Sequence, residues 1–301
     1  MVTSGAEKEI RYLNQFGRPL LPFQRIFRES FNLEKQAPSV HLGNLAKYIK
    51  IAEHMIPRPL ELSRPALRHP DLRPSNLFVS KDLQITSVID WQHGIVLPFY
   101  LHCGIPEDLD NTKDPVSRSL ETPELPRNFT ELTEEEQYQE LDLLRRRQLH
   151  FFYVAETAEK NKIHFDALTH PLVIGRKKVT DLASAPWQGD NVPLQSSLVF
   201  IKQNWERFSD LPCPIAFTKE EESECLRLDD LEQAAAVAWQ EIHDGLGIGP
   251  EGWVANERYA DVKRTVKELK ENSLEEAETE FDRRVIREHW LYDDMDEDGY
   301  D

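Results

Sequence analysis

The sequence predicts an α+β fold dominated by helices, and three observations carry that prediction. Two apolar, β-branched runs, Leu77-Phe78-Val79 and Ile85-Thr86-Ser87-Val88-Ile89, flank a short polar turn at Lys81-Asp82-Leu83, which is the pattern of a hairpin. Elsewhere, apolar residues recur at steps of three and four between helix start and stop signals. No internal repeat is present that would point to a solenoid or propeller.

Taken in order, residues 5–16 carry Ile10, Leu13 and Phe16 at helical spacing and stop at Gly17, with Pro19 just beyond. Residues 17–40, rich in Pro and Arg, predict an extended connection. His41 to Met55 places Leu42, Leu45, Tyr48, Ile49 and Ala52 on one helical face. Pro57 and Pro59 end it, and residues 65–68 lead into the hairpin segment. Residues 91–106, punctuated by Pro and Gly, predict an irregular segment, and residues 105–130 a surface loop. Thr133 with Glu136 forms a capping box. It opens a helix whose apolar residues are Tyr138, Leu141, Leu144, Phe151, Phe152 and Ala155. A helix over 194–208 buries Leu194, Leu198, Ile201 and Trp205. Another runs over 219–243 to a stop at Gly245, and a charged helical stretch covers 256–290. The acidic residues 293–298 predict a disordered tail.

The composition narrows the function classes. Across 301 residues, 36 basic side chains face 54 acidic ones, for a net charge of −18. Phosphate backbones need clustered Lys and Arg, so nucleic acid and anionic membrane are disfavoured as partners. The same balance suits a cationic small-molecule substrate. No apolar run is long enough to span a bilayer. Three cysteines, Cys103, Cys213 and Cys225, lack C-x-x-C spacing. They predict free thiols in a reducing intracellular compartment and no zinc site. Glu7 and Glu9 near the start, with no apolar core, predict no signal or transit peptide.

The chemistry concentrates in His69 to Trp91, H-P-D-L-R-P-S-N-L-F-V-S-K-D-L-Q-I-T-S-V-I-D-W. The turn lies midway between Asn76 and Asp90. Folding the hairpin therefore returns Asp90 to the end that carries Asn76, across strands about 5 Å apart. Asp71 stands in the loop just before. A carboxylate base beside two oxygen ligands for Mg²⁺ is what phosphoryl transfer to a hydroxyl requires. His93 and His102 have no zinc spacing, the tryptophans fit core positions, and Arg145-Arg146-Arg147 fits a solvated helix face.

H-P-D-L-R-P-S-N followed by a strand pair and I-D-W resembles the catalytic and metal loops of the kinase-like phosphotransferases, in particular the aminoglycoside phosphotransferase family. The string L-R-H-P-D-L-x-P-x-N-x-F-V-S, then I-D-W-Q-H and a downstream G-I-P, looks most like the fungal branch named for altered inheritance of mitochondria. The likeness covers about residues 41–111 strongly and 1–255 more loosely. It implies that 1–255 is the helical C-terminal lobe of a protein-kinase-like fold, with catalytic and metal loops at 69–92, and that 256–301 is an appended charged helix and acidic tail. Under this resemblance Asp71 is the catalytic base and Arg73 steadies the transferring phosphoryl group. Asn76 and Asp90 hold Mg²⁺, while His69 and Trp91 support the site. ATP and Mg²⁺ are the implied cofactors and a small-molecule alcohol the acceptor. The mitochondrion is the implied location, with the cytoplasm as the alternative. D-F-G is replaced by Asp90-Trp91-Gln92. No G-x-G-x-x-G strand loop and no V-A-I-K lysine precede His69, so the nucleotide lobe is expected to be absent and no ATP-binding residue is assigned. The glycines at 245, 247 and 249 read as a turn. Three readings follow: a phosphotransferase, a kinase-like lobe kept as a binding or scaffold module, or a gene model truncated upstream of Met1.

Overall fold

Helix α1 (Ser4–Phe16) stops where the sequence predicts, and packing explains why a glycine stands there. The Gly17 N–H closes on the Leu13 carbonyl at 2.9 Å, and a Cβ at that position would lie 2.3 Å from the same oxygen. The computed structural model describes residues 2–170, 172–249 and 252–293. The chain divides into two compact units, Met1–Glu53 with Lys178–Asp301, and His54–Lys177.

Residues 17–37 are not simply extended. They contain a 3-10 helix, Arg25–Phe31, closed by Asn32 and Leu33 at positive φ, and the Arg28 Nε donates to the Pro22 carbonyl at 2.9 Å. A 3-10 helix this short has no 3.6-residue periodicity to betray it. Helix α2 (Pro38–Ile51) begins three residues before the expected start, because Pro38 sits in its first turn, where a missing N–H costs nothing. Leu45, Tyr48, Ile51 and Ala52 are fully buried, and the Tyr48 hydroxyl donates to the Val2 carbonyl at 2.9 Å.

In the unit His54–Lys177, β1 (Pro65–Arg68), β2 (Leu77–Val79), β3 (Ile85–Val88) and β4 (Ile95–Pro98) form two separate antiparallel pairs, β1 with β4 and β2 with β3. The β2–β3 hairpin is the predicted one, with Leu77 opposite Val88 and the turn closed by Ser80, Gln84 and a left-handed Leu83. Strand β4 corrects the expectation of an irregular segment. Pro98 lies at its end, where no ladder N–H is needed. Short helices α3 (Phe99–His102) and α4 (Pro115–Ser119) follow.

Helix α5 (Glu134–Lys160) has the predicted capping box, with Thr133 and Glu136 bonded reciprocally. Its buried face differs from the expected one: Tyr138 and Phe152 are exposed, while His150, Val154 and Thr157 are buried. The reason is polar. Arg147 forks onto the Asp114 carboxylate at 2.7 and 2.9 Å, and the His150 Nδ1 accepts the Asn111 N–H at 3.1 Å. The loop over 109–117 thus covers a face that hydrophobicity alone would turn outward. Helix α6 (Lys162–Thr169) was not anticipated; Asn161 caps it through His164 N–H. Leu62, Tyr100, Leu101, Cys103, Ala167 and Val173 form this unit's core.

Helix α7 (Val173–Ser184) leads back into the first unit, where Gly5 approaches so closely that a Cβ would lie 2.6 Å from the Ser184 Cβ. Helix α8 (Val192–Gln203) and the 3-10 turn after it bury Leu194, Leu198, Ile201 and Trp205, as their spacing predicts. Helix α9 (Lys219–Leu246) runs past the expected stop. Gly247, at φ +64°, is the left-handed cap and Gly245 lies in the last turn. The charged stretch is two helices, α10 (Asn256–Glu276) and α11 (Glu280–His289), broken where Thr279 starts a new capping box with Asp282. The expected disordered tail, apart from Asp293, lies outside the described residues. Among the described residues no helix is long and apolar enough to cross a membrane, and all three cysteines are free thiols.

The first unit carries opposed buried titrations. Both His41 ring nitrogens lack a hydrogen-bond partner and its ring stacks on Trp187, so burial lowers its pKa to about 4. The folded state then binds fewer protons than the unfolded chain, and stability is lost as pH falls from about 6.5 to about 4. Glu232 is buried with an unpartnered Oε1. Burial first, then Asp190 and Asp229, raise its pKa to about 8. Its contribution is fully present below the unfolded value of 4.5 and is lost as pH rises to about 8. Thermal unfolding across pH 5 to 9 should therefore show stability falling on the alkaline side in the wild type. Glu232→Gln should flatten that limb, and an unchanged alkaline limb would contradict the assignment.

Candidate active site

The loop between β1 and β2 is organised by His69. The Asp71 N–H donates to its Nδ1 at 3.2 Å, which leaves the ring proton on Nε2. That nitrogen donates to the Ile89 carbonyl at 2.7 Å. One buried imidazole thus ties the start of the loop to the far end of the hairpin. Trp91 packs edge-on to it with centroids 4.8 Å apart, its own indole N–H donating to the Val88 carbonyl at 3.0 Å.

Asp71, Arg73 and Asn76 meet directly. Arg73 Nε donates to Asp71 Oδ1 at 2.6 Å. The buried Asn76 amide donates to the Asp71 carbonyl at 2.8 Å and to its Oδ2 at 3.3 Å. With the amide nitrogen turned to Asp71, the Asn76 side-chain oxygen is the atom left for a cation. Asn76 also accepts the Ile89 N–H at 3.0 Å through its backbone carbonyl. Asp90 is the next residue, so the hairpin returns it to the Asn76 end. Its φ of +62° is left-handed, a region that Asp enters more readily than most residues. The Asp90 carboxylate and the Asn76 amide oxygen are hard donors of the kind Mg²⁺ takes, completing its shell with water and phosphate. Among the described residues no three His, Cys, Asp or Glu side chains are grouped to hold a metal, so this set does not form an all-protein cage.

The sequence reading missed two groups. Arg73's pKa is raised by its hydrogen bond to Asp71, then by that charge, and also by Asp108 and Glu107. These two acids belong to a 3-10 turn, Glu107–Leu109, whose charge reaches Arg73 through space. Arg68 reaches from the end of β1 to the carbonyls of His102 and Gly104. Their only sequence signals were the L-R before H-P-D and the downstream G-I-P. Around the site Leu67, Phe78, Val79, Ile85, Ile95 and Val96 are all more than half exposed.

With this geometry in view, the relatives add little about chemistry. The chain is 26% identical over 301 residues to a subtelomeric hrmA-associated cluster protein from two strains of Aspergillus fumigatus. The match covers 99% of this chain and 58% of the length of those relatives. No protein-family profile and no solved structure matches the chain.

Proposed function

We propose that this chain carries the catalytic half of a phosphotransferase on a kinase-like helical lobe, moving a phosphoryl group from ATP to a small-molecule hydroxyl with Mg²⁺. The observation that carries the reading is the bonded trio Asp71, Arg73 and Asn76, with Asp90 next to the residue that Asn76 anchors. In this reading Asp71 accepts the acceptor's hydroxyl proton. Arg73, now bonded to Asp71, offers its guanidinium fork to the anionic group in transfer. The Asn76 side-chain oxygen and the Asp90 carboxylate are the ligands for Mg²⁺. ATP would supply the phosphoryl group and Mg²⁺ the neutralisation of its developing charge. The exposed apolar side chains of both strand pairs support a lobe that meets further protein, such as the rest of the length seen in the relatives. The acidic balance suits a cationic acceptor, and the mitochondrion is the location the family resemblance favours.

A second reading, a binding or scaffold module, is favoured by one observation. Both Asp71 oxygens are engaged within the loop, which leaves the base closed unless Arg73 turns away. Thermal unfolding with Mg-ATP separates the two readings, run on this chain and on the longest natural polypeptide that contains it. Binding to the native state raises stability by RT ln(1 + [L]/Kd). The phosphotransferase reading expects a shift in the wild type that Asp90→Ala removes. No shift in either polypeptide supports the scaffold reading, and equal shifts in wild type and variant remove Asp90 as a metal ligand.

A further inference from the structure

We propose that Arg68 is a positioning residue: it grips the backbone over residues 102–104 and thereby fixes the start of the acidic turn Glu107–Leu109 relative to the loop that begins at His69. Its consequence for turnover rests on the phosphotransferase reading, whereas the grip itself rests on geometry alone.

Arg68 is the last residue of β1, paired with Ile95 of β4, and immediately precedes His69. Its root is therefore fixed by a strand ladder on one side and by the His69-anchored loop on the other. At its far end one Nη donates to the His102 carbonyl and the other to the Gly104 carbonyl. Charged bonds from a rigid planar fork to carbonyls two residues apart fix the direction of that backbone as well as its distance. His164 of α6 completes the grip. Its Nε2 accepts the Gly104 N–H at 3.5 Å and lies 3.4 Å from the Arg68 guanidinium. Burial, reinforced by the Arg68 charge, lowers its pKa to about 4, so the ring is a neutral acceptor at neutral pH. Gly104 is thus held at both its carbonyl and its N–H.

Only Ile105 and Pro106 separate this grip from Glu107. Pro106 is fixed at φ −55°, so little freedom remains between the two. The turn then presents Glu107 and Asp108, whose charges act on Arg73, and Arg73 holds Asp71 at 2.6 Å. Arg68 thereby meets the catalytic loop by two routes, directly through His69 and around through the acidic turn. It bonds L-R-H-P-D to G-I-P, Arg68 and Gly104 lying 36 apart in the sequence.

Two kinds of measurement on the folded chain test the grip without any assay of catalysis. Hydrogen exchange should show the amides of residues 103–105 and 107–109 exchanging about tenfold or more faster in Arg68→Gln, the scale expected for a lost charged hydrogen bond. The amides of α5 should be unchanged. The Arg73 Nε–H resonance should shift in the same variant, a response that a purely structural role would not produce. Arg68→Lys should give an intermediate effect, because an ammonium cannot fork onto both carbonyls. His164→Gln provides a second route to the same local loosening if Arg68→Gln does not fold. Uniform acceleration across residues 54–177, or an unmoved Arg73 resonance with unchanged exchange at 103–109, overturns the proposal. If the wild type transfers phosphate, Arg68→Lys should raise KM for the acceptor severalfold while leaving KM for ATP unchanged, and the reverse pattern overturns the positioning role. If the wild type transfers none, the phosphotransferase reading fails, and the exchange and resonance data still decide the grip.

Discussion

Asp71→Asn is expected to lower Mg-ATP-dependent phosphoryl transfer by about 10²- to 10⁴-fold, the usual contribution of a positioned general base, with little loss of stability. Asparagine keeps the size and one acceptor oxygen of the side chain, so the bond from the Asn76 amide has a partner to keep. What disappears is the capacity to take the acceptor's proton. The Arg73–Asp71 pair is close to half exposed on both sides, and ion pairs of that kind contribute little to folding. The unfolding transition should therefore stay close to that of the wild type while the rate collapses. Equal losses of rate and stability would mean that Asp71 is a structural residue of the loop.

The largest expected effect on folding lies elsewhere, at Leu198→Ala. Leu198 is fully buried in α8, on the stripe that also buries Leu194 and Ile201. Removing a buried leucine side chain costs the transfer free energy of its carbons and leaves a cavity, together about 2–5 kcal/mol. Trp187 and Trp205 are buried in the same unit, so their fluorescence reports its unfolding in urea. The midpoint should fall markedly with an unchanged slope. A change below about 1 kcal/mol would mean that the site collapses around the smaller side chain or that α8 is not the core of this unit.

The parts of the molecule legible in the sequence were those where one local rule acted alone. The hairpin was legible because β-branched runs and a polar turn agree, whereas the register shift between Phe78 and Val79 was not. Helix α8 was legible because Leu194, Leu198 and Ile201, with Trp205 just beyond its end, all face inward. Strand β4 was not, because Gly94 and Pro98 bracket it and a four-residue strand gives no alternation to count. The buried face of α5 was misjudged for an energetic reason. A forked Arg147–Asp114 pair and a buried His150 draw a polar loop over it, while Tyr138 and Phe152 stay outside.

Around the candidate site, the gathering of Asp71, Asn76 and Asp90 at one end of the hairpin was legible from spacing. The Arg68 grip was not, because a side chain bonded to backbone carbonyls imposes no residue type on its partners. The acidic turn was hidden for a related reason, since Glu107 and Asp108 act on Arg73 through space across more than thirty residues.

The most direct test of the account is the transfer of the ATP γ-phosphoryl group to hydroxyl-bearing small molecules, cationic ones included, by the longest natural polypeptide containing this chain. The account predicts transfer that requires Mg²⁺ and is lost in Asp90→Ala while the fold is retained. Transfer that persists undiminished in Asp90→Ala, or proceeds equally without a divalent cation, would contradict it.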